Sequence, residues 1–268
     1  MHEGTSLKYR KEIDGLRAIA VLSVIFFHAD FTLFKGGFVG VDIFFVISGY
    51  LITTILIKDI RNNSFSLINF YERRARRILP ALFFLILFCF PFVWYLMLPY
   101  QILEFARSLK FVSLFISNIF FWRAGGDGYF SGKIDEMPLL HTWSLGIEEQ
   151  FYFVFLLLIW LFLSRFSPKR LVLFRKAIIS LGTLSLLSFL ISYSYSPLSS
   201  FFSTQYRFWE LLAGAFIALP LASASESILE NKSLLFEKKI YVYNFKKSLN
   251  NPFNIDIYCN YIFFIGKT

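Results

Sequence analysis

An arginine and a histidine with ten residues between them stand in the first apolar stretch of the chain, residues 16–34. At about 100° per residue, Arg17 and His28 return to the same face of a helix, roughly 16 Å apart along its axis. Ionisable groups inside a membrane span are costly, which makes them candidates for function. A base inside the membrane, aligned with a cation near the cytosolic mouth, suits transfer from an anionic cytosolic donor. A snorkelling arginine and a structural histidine are the alternative.

Four arginines between residues 70 and 80 form a second candidate site, in what we predict to be a cytoplasmic loop. Guanidinium groups bind phosphate oxygens bidentately, so the cluster could hold a phosphorylated donor such as a coenzyme A ester. The alternative is a cluster that orients the protein and binds anionic lipid headgroups.

A third group of polar residues opens the apolar run at residues 143–163. If the segment is helical throughout, His141, Ser144 and Glu148 share one face. An imidazole and a carboxylate together could position a hydroxyl substrate and manage its proton. Acidic residues in the first turns of a helix are also favoured by its dipole. Two adjacent glutamates, Glu148 and Glu149, exceed what capping requires, which favours a functional role.

Two aspartates lie close to these candidates in sequence. Asp14 could pair with Arg17 at i,i+3, or could be a simple surface charge at the start of the helix. Asp42 follows three closely spaced glycines and needs a partner inside the membrane. From this position, Asp42 could either orient the His28 ring or pair with a buried arginine.

The remaining polar features indicate structure rather than chemistry. Arg207 and Glu210 stand at i,i+3 at the start of the last apolar span, and a structural ion pair explains them. The two cysteines, Cys89 and Cys259, have no spacing typical of a metal site or a disulfide framework. We therefore predict no metal site.

The composition requires a membrane environment for these groups. Of 268 residues, 56% are hydrophobic, 17% are charged and 36 are phenylalanine, and the mean hydropathy is +0.58. Soluble domains have about 45–50% apolar and about 25% charged residues, so this class is excluded. The net charge of +9 lies mainly between apolar runs. That placement is typical of cytoplasmic loops of membrane proteins and argues against nucleic-acid binding.

The apolar runs predict an all-α, polytopic integral membrane protein with about six spanning helices and one partial or re-entrant segment. The basic loops place the N-terminus in the cytoplasm. Residues 123–140 then lie outside, so residues 101–122 should not cross, because Arg107 and Lys110 are costly at the bilayer midplane. The alternative is that residues 101–122 cross the membrane and that one loop does not follow the rule that basic loops are cytoplasmic. The predicted spans are residues 16–34, 38–57, 78–98, 143–163, 171–191 and 208–222.

Five segments together resemble membrane acyltransferase family 3. They occur in the order found in that family and are spread over residues 9–214, so the match is specific. The resemblance implies O-acylation, usually O-acetylation, of a bacterial envelope glycan such as lipopolysaccharide O-antigen or peptidoglycan. It implies acetyl-CoA as a donor substrate, with no bound cofactor, and a multi-pass protein surrounded by lipid in the bacterial inner (cytoplasmic) membrane. The segments are residues 9–22, 36–53, 70–80, 139–152 and 206–214.

The resemblance also assigns roles to the candidate residues. Arg17 and His28 match the family's Arg-x10-His pair, with the arginine near the donor entrance and His28 as general base or transient acyl carrier. The basic motif of the loop would hold donor phosphates, and the two glutamates would position the acceptor or a partner residue. The donor-binding arginines are Arg73, Arg74 and Arg77, the glutamates are Glu148 and Glu149, and the supporting residues are Asp14, Asp42, His141, Trp143 and Ser144.

The match ends near residue 220, whereas family members continue with further membrane helices. We therefore predict an N-terminal part of the acyltransferase domain at residues 1–220 and an aberrant or poorly ordered tail at residues 221–268. A truncated or frameshifted product would account for this, with a separately encoded C-terminal part as a partner. The alternatives are a transporter of glycolipids or lipid-linked sugars, and an inactive remnant of an acyltransferase gene.

Overall fold

The computed structural model describes residues 10–125, 137–163 and 167–219, and within these ranges all regular structure is helical. The prediction of an all-α membrane protein is therefore confirmed. The described residues belong to one compact unit, Met1–Leu219. The predicted tail at residues 221–268 lies outside the described residues.

Nine α-helices follow one another in the described part of the chain, and short 3₁₀ turns at Thr32–Phe34 and Gly37–Val39 connect the first two. Serine side chains accept a free backbone N–H from the first turn at two helix starts, Ser66 from Asn69 and Ser167 from Arg170. The helices are α1 Lys11–His28, α2 Gly40–Arg61, α3 Leu67–Leu96, α4 Pro99–Ser113, α5 Ser117–Ala124, α6 Thr142–Leu163, α7 Pro168–Tyr195, α8 Pro197–Phe202 and α9, residues 204–219.

Four of the described helical segments are long and apolar enough to cross a membrane: Gly37–Arg61, Leu67–Leu96, Thr142–Leu163 and Lys169–Tyr195. They correspond to four of the predicted spans. The first predicted span differs, because α1 ends at His28 and Asp30 adopts a positive φ of 55°. Crossing by α1 and α9 stays a prediction.

The third span also differs from its prediction. We expected the arginine cluster in a loop before residue 78, but α3 begins at Leu67 and carries all four arginines. The loop assignment is wrong because the helix start at Ser66 is capped and carboxylates of α6 neutralise Arg74 within the helix. The charges therefore do not prevent the helix from starting eleven residues earlier than residue 78.

The two ends of the segment formed by α4 and α5 lie close together. Met97 and Tyr100, at its start, line the same cavity as Ala124, at its end. The turn between the two helices contains Phe115, which has a positive φ of 55°. That residues 101–122 do not cross the membrane stays a prediction.

Glycines allow α2 and α9 to touch. A Cβ atom added at Gly49 would lie 1.9 Å from the Leu211 carbonyl oxygen, and one added at Gly214 would lie 1.9 Å from the Val46 carbonyl oxygen. Helices in membranes use such small residues to bring their backbones together.

We predict that Gly49→Ala or Gly214→Ala destabilises the fold by about 1–3 kcal/mol, because the backbones must separate. Gly15→Ala is the matched control, since nothing lies within 4 Å of a Cβ atom at that position. Thermal unfolding in detergent checks this, and equal melting temperatures for all three variants would contradict it.

Candidate functional site

A cavity of about 380 Å³ lies between α1, α2, α3 and α6. Its apolar wall comes mostly from α2. The polar part of its lining brings together residues from three of the predicted groups, which are far apart in sequence. We call it the basic cavity, and its charged and polar residues are Arg17, Ser48, Arg74, Arg77, Ser144, Glu148 and Tyr152.

Glu148 is the most enclosed charged group of the basic cavity, with 6% of the residue exposed. The Ser48 hydroxyl donates to its Oε1 at 2.6 Å, and the Tyr152 hydroxyl donates to its Oε2 at 3.2 Å. Arg74 Nη2 lies 3.9 Å from the same Oε2. Both carboxylate oxygens are therefore held in one orientation towards the cavity.

Arg74 is bound by the protein itself. Its Nε and Nη2 atoms lie 2.9 and 2.8 Å from Glu149 Oε1, and its guanidinium carbon lies 3.8 Å from the centre of the Tyr152 ring. The ion pair joins α3 to α6 at the level of Glu148. Arg74 therefore shapes the cavity wall, and its side chain has little freedom to follow a ligand.

The other two predicted donor-binding arginines have different environments. Arg73 is 56% exposed, bonds Asp59 at 2.9 Å and does not belong to the lining of the basic cavity. Arg77 lines the cavity together with Arg17, whose guanidinium carbon lies 5.3 Å from the centre of the Phe44 ring. Neither Arg17 nor Arg77 forms an ion pair with any described residue. These two side chains can therefore receive an anion.

The two predicted histidines form a separate group near the last turn of α1. His28 is the last residue of that helix, and its Nδ1 atom lies 2.8 Å from the Val24 carbonyl oxygen. A donating Nδ1–H leaves Nε2 as the basic nitrogen. His141 stands immediately before α6, so the predicted common helix face begins at Ser144, whose hydroxyl donates to the His141 carbonyl oxygen at 3.2 Å.

The charges of the two imidazoles interact. Although the His141 ring reaches the surface, desolvation by the surrounding protein lowers its pKa below the ordinary 6.5, and the charge of His28 lowers it further. The two imidazoles are therefore close enough for their charges to interact.

We predict that His28→Gln raises the pKa of His141, because it removes that positive charge. Histidine ring NMR signals recorded across pH check this, with His141→Gln used for assignment. The unfolded chain binds the His141 proton more readily than the folded protein does. The contribution of neutral His141 to the free energy of unfolding is therefore fully present above about pH 6.5. It is lost as the pH falls below that value. An unchanged His141 titration in the His28 variant would contradict the proximity of the two rings.

A second, apolar pocket of about 230 Å³ adjoins the basic cavity along α1. Phe44 and Ser144 belong to the lining of both. The pocket extends to Val24 and Ile25, in the turn before His28. It therefore lies between the arginines of the basic cavity, Arg17 and Arg77, and the last turn of α1 with His28. We call it the apolar pocket.

Asp42 pairs with a buried arginine and not with His28. It accepts from Arg207 Nη2, and Arg207 Nη1 lies 3.1 Å from Glu210 Oε1. Arg207 and Glu210 are 5% and 0% exposed, and the structural ion pair expected from the sequence is present. The guanidinium carbon of Arg207 lies between 5.6 and 5.9 Å from the centres of three aromatic rings, those of Phe45, Trp143 and Phe201.

Asp14 lies in the exposed first turns of α1. Among the ion pairs of the described residues, none joins it to Arg17. The surface-charge interpretation fits this position.

Sequence reasoning missed the neutral partners of the acidic residues. Tyr152 stands at i+4 from Glu148, so helical spacing could have found it, whereas Ser48 lies 100 residues away. Gln150 was also missed. Its amide nitrogen donates to the Phe115 carbonyl oxygen at 3.0 Å and to Asn118 Oδ1 at 2.8 Å, which satisfies the turn between α4 and α5.

Comparison with known protein families shows to which family the chain belongs. The family model described as "Acyltransferase domain" matches residues 10–235. The chain belongs to this family. The acyltransferase domain therefore includes the basic cavity, the apolar pocket and the Asp42–Arg207 pair. No solved structure matches the chain.

Relatives of this acyltransferase domain occur in Staphylococcus, Listeria and Bacillus. O-acetyltransferase OatA of Staphylococcus aureus is 38% identical over 216 residues, which are 80% of this chain and 35% of that protein. Peptidoglycan O-acetyltransferase OatA of Listeria monocytogenes is 38% identical over 80% of this chain and 34% of its own length. The putative peptidoglycan O-acetyltransferase YrhL of Bacillus subtilis is 36% identical over 86% and 37%. The chain thus spans about a third of the length of these relatives.

Proposed function

We propose that this protein is a membrane O-acyltransferase that transfers an acetyl group from acetyl-CoA to a hydroxyl of a cell-envelope glycan. The observation that carries the proposal is the basic cavity, where two arginines that pair with no acidic residue in the described part of the chain lie beside a buried, oriented glutamate. Membership of the acyltransferase family supports the reaction type. The names of the Listeria and Bacillus relatives favour peptidoglycan over lipopolysaccharide as the acceptor.

In this proposal the donor phosphates bind Arg17 and Arg77. Charge-assisted, bidentate hydrogen bonds make arginine well suited to phosphate oxygens. Arg74 contributes by holding Glu149 and by adding positive charge to the cavity wall. Arg73, which lies outside the lining, contributes at most a long-range attraction.

The transfer forms an ester bond between the acceptor hydroxyl oxygen and the acetyl carbon, and it breaks the carbon–sulfur bond of the thioester. The hydroxyl proton ends on the coenzyme A sulfur, so the reaction is balanced. His28 Nε2 takes that proton as a general base, or it carries the acetyl group first as an acyl-imidazole. Glu148 and Glu149 position the acceptor or the groups that touch it.

We further propose a location in the bacterial cytoplasmic membrane with the N-terminus in the cytoplasm, on the basis of the basic segments between the spans.

The test measures transfer of labelled acetyl from acetyl-CoA to peptidoglycan fragments in membrane vesicles that contain the protein. Arg77→Met should lower transfer by at least tenfold at limiting acetyl-CoA. The matched control is Arg76→Met, because Arg76 is 79% exposed, neighbours Arg77 and does not line the cavity. Equal transfer by the two variants would refute the donor site. Passage of glycan across the membrane without acetyl transfer would instead establish the transporter alternative.

A further inference from the structure

The apolar pocket differs chemically from the basic cavity that it adjoins. Its lining includes alanine, valine, isoleucine and phenylalanine side chains, and among the described lining residues only Ser144 has a polar side chain. The hydroxyl of that serine already donates to the His141 carbonyl oxygen. The pocket therefore offers little to a polar ligand and suits a hydrocarbon group.

Its position relative to the arginines defines the kind of ligand. Phe44 and Ser144 line both cavities, so the two lie side by side. On α1, Arg17 precedes Val24 by seven residues, which is about 10 Å along a helix at 1.5 Å per residue. A ligand with anionic groups at one end and an apolar group at the other matches this layout.

We propose that the apolar pocket binds the acyl group of the thioester donor, and that Val24 and Val41 set the length of acyl chain that the protein accepts. This inference rests on the proposed function. The pocket leads from the arginines to the turn before His28, so an acyl group bound there lies on the side of the proposed base or carrier. A volume of about 230 Å³ is several times the roughly 30 Å³ of one water-sized group. Chains longer than acetyl therefore fit.

The wall formed by α1 and α2 explains why valines set the limit. A Cβ atom added at Gly40 would lie 2.3 Å from the Ala20 carbonyl oxygen and 2.9 Å from Val24 Cγ2. The two helices are in contact here, so this wall cannot withdraw to admit a longer chain. The side chains of Val24 and Val41, both lining the pocket, then decide how much space remains.

The experiment compares the binding of coenzyme A with that of its S-ethyl, S-butyl and S-hexyl thioethers, which cannot transfer their alkyl groups. Binding is measured by calorimetry on the full chain in lipid nanodiscs, with empty nanodiscs subtracted. We expect affinity to rise about fourfold for each buried methylene until the pocket is full. Val24→Ala should extend this rise to the longest chain, and Val24→Leu should end it about one methylene earlier.

Ile19→Ala is the matched control, because Ile19 lies on the same helix, is 62% exposed and lines neither cavity. It should leave the length dependence unchanged. Affinity that is independent of chain length, or equal effects of the Val24 and Ile19 variants, would overturn the acyl pocket while leaving the donor site intact. If coenzyme A itself does not bind, the proposed function fails and the inference fails with it.

Discussion

Arg74→Met is expected to lower the free energy of unfolding by about 3 kcal/mol, because removal of one partner leaves a largely buried carboxylate without its counter-charge. A loss at the lower end of the range for buried ion pairs is expected, since 18% of the Arg74 side chain and 12% of the Glu149 side chain are exposed. The loss also removes the contact with the Tyr152 ring. Unfolding of the purified protein in an SDS titration, followed by helical circular dichroism, measures the change.

Arg76→Met provides the comparison on the same helix. Arg76 pairs with Glu72, and these side chains are 79% and 50% exposed. Exposed pairs contribute about 0–1 kcal/mol, so this variant should unfold close to the parent. The double variant Arg74→Met, Glu149→Gln should recover part of the loss, because the unpaired charge is gone. Equal stability of the Arg74 and Arg76 single variants would refute the structural role of Arg74.

His28→Ala is expected to lower acetyl transfer by about 100- to 10,000-fold, the usual contribution of a general acid–base group. KM for acetyl-CoA should change little, because His28 is not part of the lining of the basic cavity. Steady-state transfer in membrane vesicles, with acetyl-CoA varied, separates the two constants. Added imidazole should restore part of the activity, which it would not do if His28 were only structural.

The same variant distinguishes a base from an acyl carrier. Without acceptor, the parent protein incubated with labelled acetyl-CoA should retain label that neutral hydroxylamine removes if an acyl-imidazole forms, and His28→Ala should not. Absence of bound label in the parent would leave His28 as the base. Full activity of His28→Ala with acceptor would exclude both roles.

Spacing along the sequence predicted the local features of the site well. The shared face of Ser144 and Glu148 follows from helical geometry, and both line the basic cavity. The limits of α6 differ from the predicted span by a single residue at its start. In these cases the residues involved lie within a few positions of one another in the sequence. Composition and periodicity are therefore enough to predict the helix and its faces.

Contacts between distant segments could not be obtained in this way. Asp42 and Arg207 are 165 residues apart, and sequence allowed the aspartate either of two partners. Arg73 and Arg74 are adjacent and chemically identical, yet one faces solvent and the other packs against Tyr152. Which arginine faces inward depends on how α3 is rotated against α6, and that is a property of the packed helices.

The polar triplet at residues 148–150 has a consequence for how the protein can move. Glu148 bonds Ser48 on α2, Glu149 bonds Arg74 on α3, and Gln150 bonds the turn between α4 and α5. Three successive side chains point about 100° apart and each has a different fixed partner, so α6 has only one rotational setting. The α6 side of the basic cavity is therefore a fixed surface against which a bound molecule is positioned, whereas α1 has its contacts mainly with α2 and the 3₁₀ turns between them.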